Sequence, residues 1–530
     1  MAQRKIETEN PLVQTSGRRE AIGASYREGS LLMNRKVVLF YPPYDGPPLG
    51  APACLLSLAA PLLQSGFEVS IIDASIEPNW LAAVLREVRD VLCLGISVLT
   101  GPMIRGAVRM AKAIKKDAPH VPVIFGGWHP TLLPGQTLQE GFVDAIVRGQ
   151  GELTLLEIAE KLAGGQSIHG THGVSSKQFG LPQHAPERRV ALLDDLPMPA
   201  FEKADFDAYE RVSGQRKLAY ATSVGCPYAC NYCTDMVFYK RRFNALEAGR
   251  VVKEVTELVA KYRIEEVAML DSNLPVDWRR ARDIAKGFLD SKIKFRWTFQ
   301  ASTDFLCRMS DDDVRLLGES GVTHMGFGTE STSSSVLKLM NKRHQRVDEM
   351  YETARKAAIG GIHVTYNLIF GYPGETEADR VETLQTMSDI ARQFWNVSFS
   401  PNIFTPYPGI PIWGQLREMG VTEPQSLNEW AELPLGRNTL PWLQGAALER
   451  LQRMLEFFLL NNQLRKATKD HPRLRTVFRR ALGAPLRWRL RTNRYSFPWE
   501  LWIGRRLEKI TTRRSLVTGQ PLGAQGADAC

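Results

Sequence analysis

An α/β fold in two successive units, followed by an α-helical, basic C-terminal region, is predicted by three features of the sequence. Strand-like and helix-like runs alternate from Lys36 to about residue 163, and alternate again six times between Leu218 and about residue 404. After Ile412 the alternation stops and helical periodicity takes over. A chain of 530 residues with 44% apolar content is also too long for one core, so several units of ordinary size are expected.

Residues 1–33 are polar, mixed in charge and without periodicity, and are predicted as a loosely ordered tail. Lys36-Val-Val-Leu-Phe-Tyr41 then reads as a buried strand, followed by the Pro/Gly-rich loop 42–50 and an apolar helix to about Ser65. Next come strand 68–73 ending at Asp73, a helix near 79–88, strand 91–98, helix 103–117, strand 121–125 ending in Gly126-Gly127, strand 143–147 and helix 152–163. Such alternation makes a doubly wound, Rossmann-like parallel sheet over 34–165, whose ligands sit beyond the carboxyl ends of the strands. Those ends are the loops at 42–50, 98–102 and 126–130, rich in Gly and Pro, where backbone can approach a large planar ligand closely. No Gly-x-Gly-x-x-Gly follows the first strand and no Walker loop occurs, which argues against a dinucleotide or a nucleotide phosphate.

Residues 166–215 lack strong periodicity and are predicted as a linker; His169, His172 and His184 are irregularly spaced within it, which suits solvated side chains better than a metal site. In the second unit, 216–415, strands are expected near 219–224, 265–270, 295–300, 323–328, 362–369 and 396–404. Helices are expected at 246–261, 278–289, 311–320, 334–359 (with a break) and 376–393. Six parallel units make an open (β/α)6 partial barrel, with active residues at the C-terminal strand ends.

The first of those ends carries Cys226-Pro-Tyr-Ala-Cys230-Asn-Tyr-Cys233, three thiols within eight residues on one loop. Three thiolates fill three corners of a 4Fe-4S cube and leave one iron open to a further ligand. A structural zinc site would need a fourth ligand, and no further Cys or His lies within thirty residues on either side. The other cysteines, Cys54, Cys93, Cys307 and Cys530, are scattered singly, which suits a reducing compartment rather than a disulfide framework.

This loop resembles the cluster-binding signature of the radical S-adenosylmethionine (SAM) superfamily. The resemblance implies that Cys226, Cys230 and Cys233 hold a 4Fe-4S cluster, that SAM chelates the open iron, and that its reductive cleavage releases a 5′-deoxyadenosyl radical. Tyr232 stands where the family usually places an aromatic against adenine. Other strand ends extend the match: Asp271-Ser-Asn273 near the SAM amino group, Gln300-Ala-Ser302, and Gly328-Thr-Glu330-Ser331 beside the methionyl and ribose groups. Gly371-Tyr-Pro-Gly-Glu-Thr376 and Thr405-Pro-Tyr-Pro-Gly409 complete it. A single Gly-Pro turn is weak evidence, because turns need these residues for backbone reasons; five in order, each at a strand end, are not.

The front unit resembles the cobalamin-binding domain that precedes many radical SAM enzymes, through Pro42-Pro43, Gly95-Ile-Ser97, Gly126-Gly-Trp-His129 and Arg148-Gly-Gln-Gly-Glu152. Gly126, Gly127 and His129 are the implied cofactor-binding positions. The Asp-x-His-x-x-Gly loop whose His ligates cobalt in the mutases is absent, so base-off cobalamin without a His from that loop is implied. His129 is the one nearby candidate, and a hydrogen-bonding role suits it better than ligation.

The resemblance covers residues 36–412 and implies a cobalamin-dependent radical SAM enzyme: a C-methyltransferase acting on an unactivated carbon of a hydrophobic or secondary-metabolite substrate, served by an electron donor of the flavodoxin or ferredoxin type. The enzymatic alternative is an oxidative cyclase or ring-rearranging enzyme resembling the anaerobic magnesium-protoporphyrin ester cyclase. A non-catalytic cobalamin and iron-sulfur sensor is the alternative of another class. No catalytic residue beyond the cofactor set is assigned.

The chain has no run of eighteen apolar residues and no charged-then-apolar leader, so a cytoplasmic location is expected. Net charge is +10, yet residues 465–514 alone carry sixteen Lys/Arg against three Asp/Glu. The basic excess therefore belongs to the region 416–530 and not to the catalytic body. Arginines interleaved with Trp488, Tyr495, Phe497, Trp499 and Trp502 suit peripheral contact with an anionic membrane, which is favoured over an RNA surface or a solvated helix pair. Helix 446–467, with Leu448, Leu451, Met454, Leu455, Phe458 and Leu459 on one face, is expected to pack on its own protein, and 515–530 to be disordered.

Overall fold

A computed structural model describes residues 35–503, apart from 45, 47, 179–180, 434–439 and 467–471. The tails expected at 1–33 and 515–530 lie outside the described residues, as does the basic stretch beyond 503.

The front sheet is built from β1 (Lys36–Tyr41), β2 (Glu68–Asp73), β3 (Cys93–Ser97), β4 (Val123–Gly126) and β5 (Ala145–Val147), all parallel, in the order β2-β1-β3-β4-β5. Val37, Val38, Leu39 and Phe40 are fully buried, as an unbroken apolar run demands of a strand covered on both faces. The strand order reverses between β1 and β3, so the crevice for a ligand opens beyond Tyr41 and Ser97.

One expectation is corrected. The segment read as a linker adds two antiparallel strands to this sheet, β6 (Val174–Gln178) and β7 (Leu181–His184). Its strands carry polar side chains, with His184 Nδ1 2.8 Å from Ser175 Oγ across the pair and His169 Nδ1 2.6 Å from Ser176 Oγ, so no apolar alternation announces it. Only the stretch beyond His184, with a helix at Phe206–Ser213, runs between the sheets. That helix is tied back to the front sheet by Tyr209, whose hydroxyl donates to Asp73 Oδ2 at 2.6 Å.

The second sheet contains β8 (Lys217–Tyr220), then the short antiparallel pair β9 (Ser223–Val224) and β10 (Asn244–Ala245) beside it, and β11 (Glu266–Met269), β12 (Arg296–Ala301), β13 (Val322–Glu330), β14 (His363–Phe370) and β15 (Val397–Ile403). The order β15-β14-β13-β12-β11-β8 is parallel throughout, with β15 and β8 at its two edges, an open six-stranded barrel. Along β14 every second residue, Val364, Tyr366, Leu368 and Phe370, is buried against the outer helices. Burial of each such side chain contributes about 1.5–3 kcal/mol. Of the alternate, half-buried positions His363, Thr365 and Asn367 are polar: His324 Nε2 lies 2.8 Å from Thr365 Oγ1, and His363 Nε2 3.0 Å from Ser398 Oγ. Hydrogen-bonded polar groups along much of that face suit a lumen that receives a ligand.

The two sheets meet. Gly50, with φ +147°, brings the Pro-rich loop so close to β8 that an added Cβ would stand 3.0 Å from the Ala219 amide nitrogen. After β15 the helix Gly445–Lys466 packs on that strand, and the helix Pro472–Thr492 packs on it and on the helix Glu377–Gln393. Leu451, Met454, Phe457 and Phe458 are buried there; Leu459, expected on the same face, is 46% exposed because its position turns past the contact. Tyr495 is buried against Phe457, so it leaves the set of interleaved surface aromatics. Among the described residues no helix is long and apolar enough to cross a membrane.

Candidate functional site

The cysteine loop begins where β9 ends, at Gly225, whose φ of +78° and close approach to the Arg242 carbonyl exclude any side chain. Burial, then the nearby Asp235 carboxylate and the neighbouring thiols, push Cys226 up to about 11 and Cys233 to about 12, with Cys230 also raised by burial. Asn273 hydrogen-bonds Cys226 by its side chain and accepts from the Ser302 amide through Oδ1 at 3.2 Å. Among the described residues no three His, Cys, Asp or Glu side chains are already closed at metal-ligand spacing. Three soft donors that disfavour separate ionisation suit a positively charged centre that gathers them as thiolates, with one coordination position left for another ligand.

Tyr232 and Glu330 are brought together: the Tyr232 hydroxyl donates to Glu330 Oε1 at 2.9 Å, and Lys342 Nζ donates to the same oxygen at 3.0 Å. Glu330 sits at φ +62°, where the β13–β14 register shifts, a conformation that non-glycine residues hold only when their surroundings fix it. Gln300 is exposed to the lumen, and its amide lies across Gly326, where an added Cβ would stand 2.1 Å from Oε1.

Three further expected cofactor positions take hydrogen bonds within the fold. Asp271 is fully buried and accepts from the Thr222 amide, the Thr222 hydroxyl and the Ser223 hydroxyl, so it fixes the strand that leads into the cysteine loop. Ser331 Oγ is 3.1 Å from Thr383 Oγ1 and accepts from the Ser333 amide, which turns it toward the helix Glu377–Gln393. Gly371 lies beneath Leu440 and Leu443, with its carbonyl accepting from Trp442 Nε1 at 3.0 Å. In the same turn Glu375 accepts from the Gly371 amide, and burial pushes it up to about 7.

On the front domain Gly127 has φ +90°, and its missing side chain lets the loop lie against Val98 and Ser97 at the end of β3. His129 is completely buried; its Nδ1 is 3.0 Å from Thr100 Oγ1, its ring meets Trp430 edge-on, and burial pushes it down to about 3. His129 Nε2, Arg148 Nε and Gln150 Nε2 are buried without a hydrogen-bond partner among the described residues. Between Gly127 and His129, Trp128 lies tilted against Phe238 with ring centroids 4.3 Å apart and meets Tyr239 edge-on at 6.0 Å, in the segment just past Cys233. The front-domain loop therefore touches the segment that follows the cysteine loop.

Two groups of side chains were missed by sequence reasoning. The turn 339–345 grips the cysteine loop, and its signal was the polar run Asn341-Lys-Arg-His344 interrupting an expected helix. The helix Leu427–Ala431 brings Trp430 onto His129, beside an Arg105–Glu432 ion pair at 2.8 Å, and nothing local in the sequence announces it.

Comparison with known proteins agrees with both halves. The family description of the B12 binding domain matches residues 35–159, and that of the radical SAM superfamily matches residues 220–387. An uncharacterized methyltransferase of Pyrococcus horikoshii, PH0819, is 28% identical over 71% of this chain and 82% of its own. Cytidylyl-2-hydroxyethylphosphonate methyltransferase of Streptomyces wedmorensis is 25% identical over 74% and 83%. Anaerobic magnesium-protoporphyrin IX monomethyl ester cyclase of Rubrivivax gelatinosus is 23% identical over 69% and 66%. Among solved structures, the cobalamin-dependent SAM radical enzyme OxsB superposes with a TM-score of 0.70 at 16% identity, covering 91% of this chain and 75% of that one, a likeness of fold. With its B12-binding domain in front and its cysteine-bearing barrel behind, the chain belongs to the radical SAM enzymes that carry a cobalamin-binding domain.

Proposed function

We propose that this protein is a cobalamin-dependent radical SAM C-methyltransferase acting on an unactivated carbon of a hydrophobic or secondary-metabolite substrate. The observation that carries this reading is the contact of Trp128 with Phe238 and Tyr239, which joins the front-domain loop to the segment that follows the cysteine loop. When bound, the cluster with SAM supplies a radical that abstracts a hydrogen atom, and cobalamin supplies the methyl group.

The residues fit these groups. Cys226, Cys230 and Cys233 would hold the cluster, with Asn273 orienting the first of them. Tyr232, Glu330 and Lys342 form a polar wall for SAM, and Gln300 faces the same lumen. The flat Gly126-Gly127 backbone and the partnerless polar atoms of Arg148, Gln150 and His129 suit a broad ligand edged with amides, such as a corrin. Trp128, Phe238 and Tyr239 exclude water where the two loops meet, which keeps a reactive carbon radical from solvent.

The cyclase reading keeps support from the cyclase-named relatives, and the two separate experimentally. Lipids and pigments of a deletion strain and its complemented parent are compared by mass spectrometry. A compound lighter by one methylene in the deletion strain supports methylation. A product of equal carbon count lacking a ring overturns it in favour of cyclisation.

The finer partner assignments are proposals of the same rank: a flavodoxin- or ferredoxin-type electron donor, a cytoplasmic location, and peripheral contact of the C-terminal region with anionic membrane rather than nucleic acid.

A further inference from the structure

The turn 339–345, between the helices Ser334–Leu339 and Val347–Ile359, lies outside every motif described for the cofactors, yet it is the second wall of the cysteine loop. The Asn231 amide donates to the Met340 carbonyl at 3.2 Å, and the Asn231 side chain to the Leu339 carbonyl at 2.8 Å. Asn341 returns the contact, donating to the Ala229 carbonyl at 2.7 Å, and His344 stacks flat on Tyr228 at 3.7 Å. In the middle of this grip stands one buried ammonium. Lys342 is 6% exposed and donates to the Gly328 carbonyl at 2.7 Å and to Glu330 Oε1 at 3.0 Å, with the Tyr232 hydroxyl at 3.4 Å.

A charge in that position has a consequence beyond hydrogen bonding. Low local dielectric and exclusion of salt let a buried cation act at full strength on a neighbouring redox centre, stabilising whichever oxidation state carries more negative charge. Both charges reach the loop through one residue: the Tyr232 hydroxyl, next to Cys233 in the chain, lies 3.4 Å from Lys342 Nζ and donates to Glu330 Oε1 at 2.9 Å, so the cation and the carboxylate act there with opposite sign.

We propose that Lys342 is a positioning residue whose fixed charge raises the reduction potential of a cluster held by Cys226, Cys230 and Cys233, with Glu330 acting in the opposite direction. The inference rests on the reading of that loop as a cluster site. The step it governs is the uptake of one electron by the cluster from a low-potential one-electron donor, with no bond made or broken.

The test is a potentiometric titration of the anaerobically reconstituted full chain, without SAM, followed by the paramagnetic signal of the reduced cluster. Wild type, Lys342→Met, Lys342→Arg and Glu330→Gln are compared at equal iron content, about four per chain. Lys342→Met should shift the midpoint negative, Lys342→Arg should leave it near wild type, and Glu330→Gln should shift it positive. A structural role alone would not produce opposite signs at two partners of one ion pair. Unmoved midpoints, or shifts of the same sign, overturn the proposal. Should Lys342→Met fail to take up iron, Glu330→Gln decides alone, and a midpoint at or below wild type overturns it. A wild-type protein that binds no iron defeats the cluster reading itself, a result distinct from a loaded cluster that ignores Lys342.

Discussion

His129 shows what a single residue at this junction costs and stabilises. Its ring is sealed between Thr100 and Trp430, and burial pushes it down to about 3 from an ordinary 6.5. A base that protonates more readily unfolded than folded contributes stability that is whole above pH 6.5 and is lost as pH falls toward 3. Between pH 7 and pH 5 the wild-type protein should therefore lose about 2 kcal/mol more stability than His129→Gln, which is neutral throughout. Denaturant titrations at the two pH values measure the difference, and equal losses would show that His129 is already protonated or open to solvent. At this scale the sequence was readable wherever chemistry is spelled by residue type, as at Cys226, Cys230 and Cys233. It was silent where a side chain acts from far along the chain, as Lys342 does on Tyr232 and Trp430 on His129.

The strand ends are where backbone conformation limits substitution. Gly225 closes β9 at φ +78°, and an added Cβ would lie 2.0 Å from the Arg242 carbonyl oxygen, so Gly225→Ala must displace the loop it launches. That variant should lose at least about 1 kcal/mol of stability and take up markedly less iron on reconstitution. Gly249, in the helix Ala248–Tyr262 with nothing within 4 Å of an added Cβ, is the control. Gly249→Ala should gain up to about 1 kcal/mol. Full iron content and an unchanged melting temperature in Gly225→Ala would mean that the loop adapts without cost. Elements held by apolar periodicity, such as β1 and β14, were legible because burial and period coincide. The hairpin β6–β7 was not, since its strands carry polar residues such as Ser175, Ser176 and His184 without apolar alternation and look like a loop in sequence. The sequence suggests a break within 334–359; that it falls between Leu339 and Val347 and grips the cysteine loop follows only from the fold.

Charge is segregated across the whole molecule, with sixteen basic and three acidic residues between 465 and 514 and a slightly acidic remainder. In the described part of that region Trp488 is 52% exposed, Phe497 88% and Trp499 46%, whereas Arg489 is buried against Glu500 and serves the local fold. Large aromatics held at the surface beside Arg487, Arg491 and Arg494 match an interfacial surface, where rings enter the headgroup layer and arginines meet anionic lipid. Each basic residue near such a surface contributes up to about 1 kcal/mol, so contact by a few of them is measurable and falls with salt. The helix Pro472–Thr492 packs on the helices Gly445–Lys466 and Glu377–Gln393, so its removal would strip part of the core, and surface substitutions are the cleaner probe. The full-length protein should co-sediment with phosphatidylglycerol-containing vesicles at low ionic strength and be released by added salt. Trp488→Ser combined with Phe497→Ser should weaken that binding without altering the melting temperature, because neither ring is buried. Retention on structured RNA with indifference to vesicles would reassign the surface to nucleic acid. Binding to neither would leave the arginines as a solvated face, and a hydrophobic substrate would then have to reach the barrel without help from a membrane.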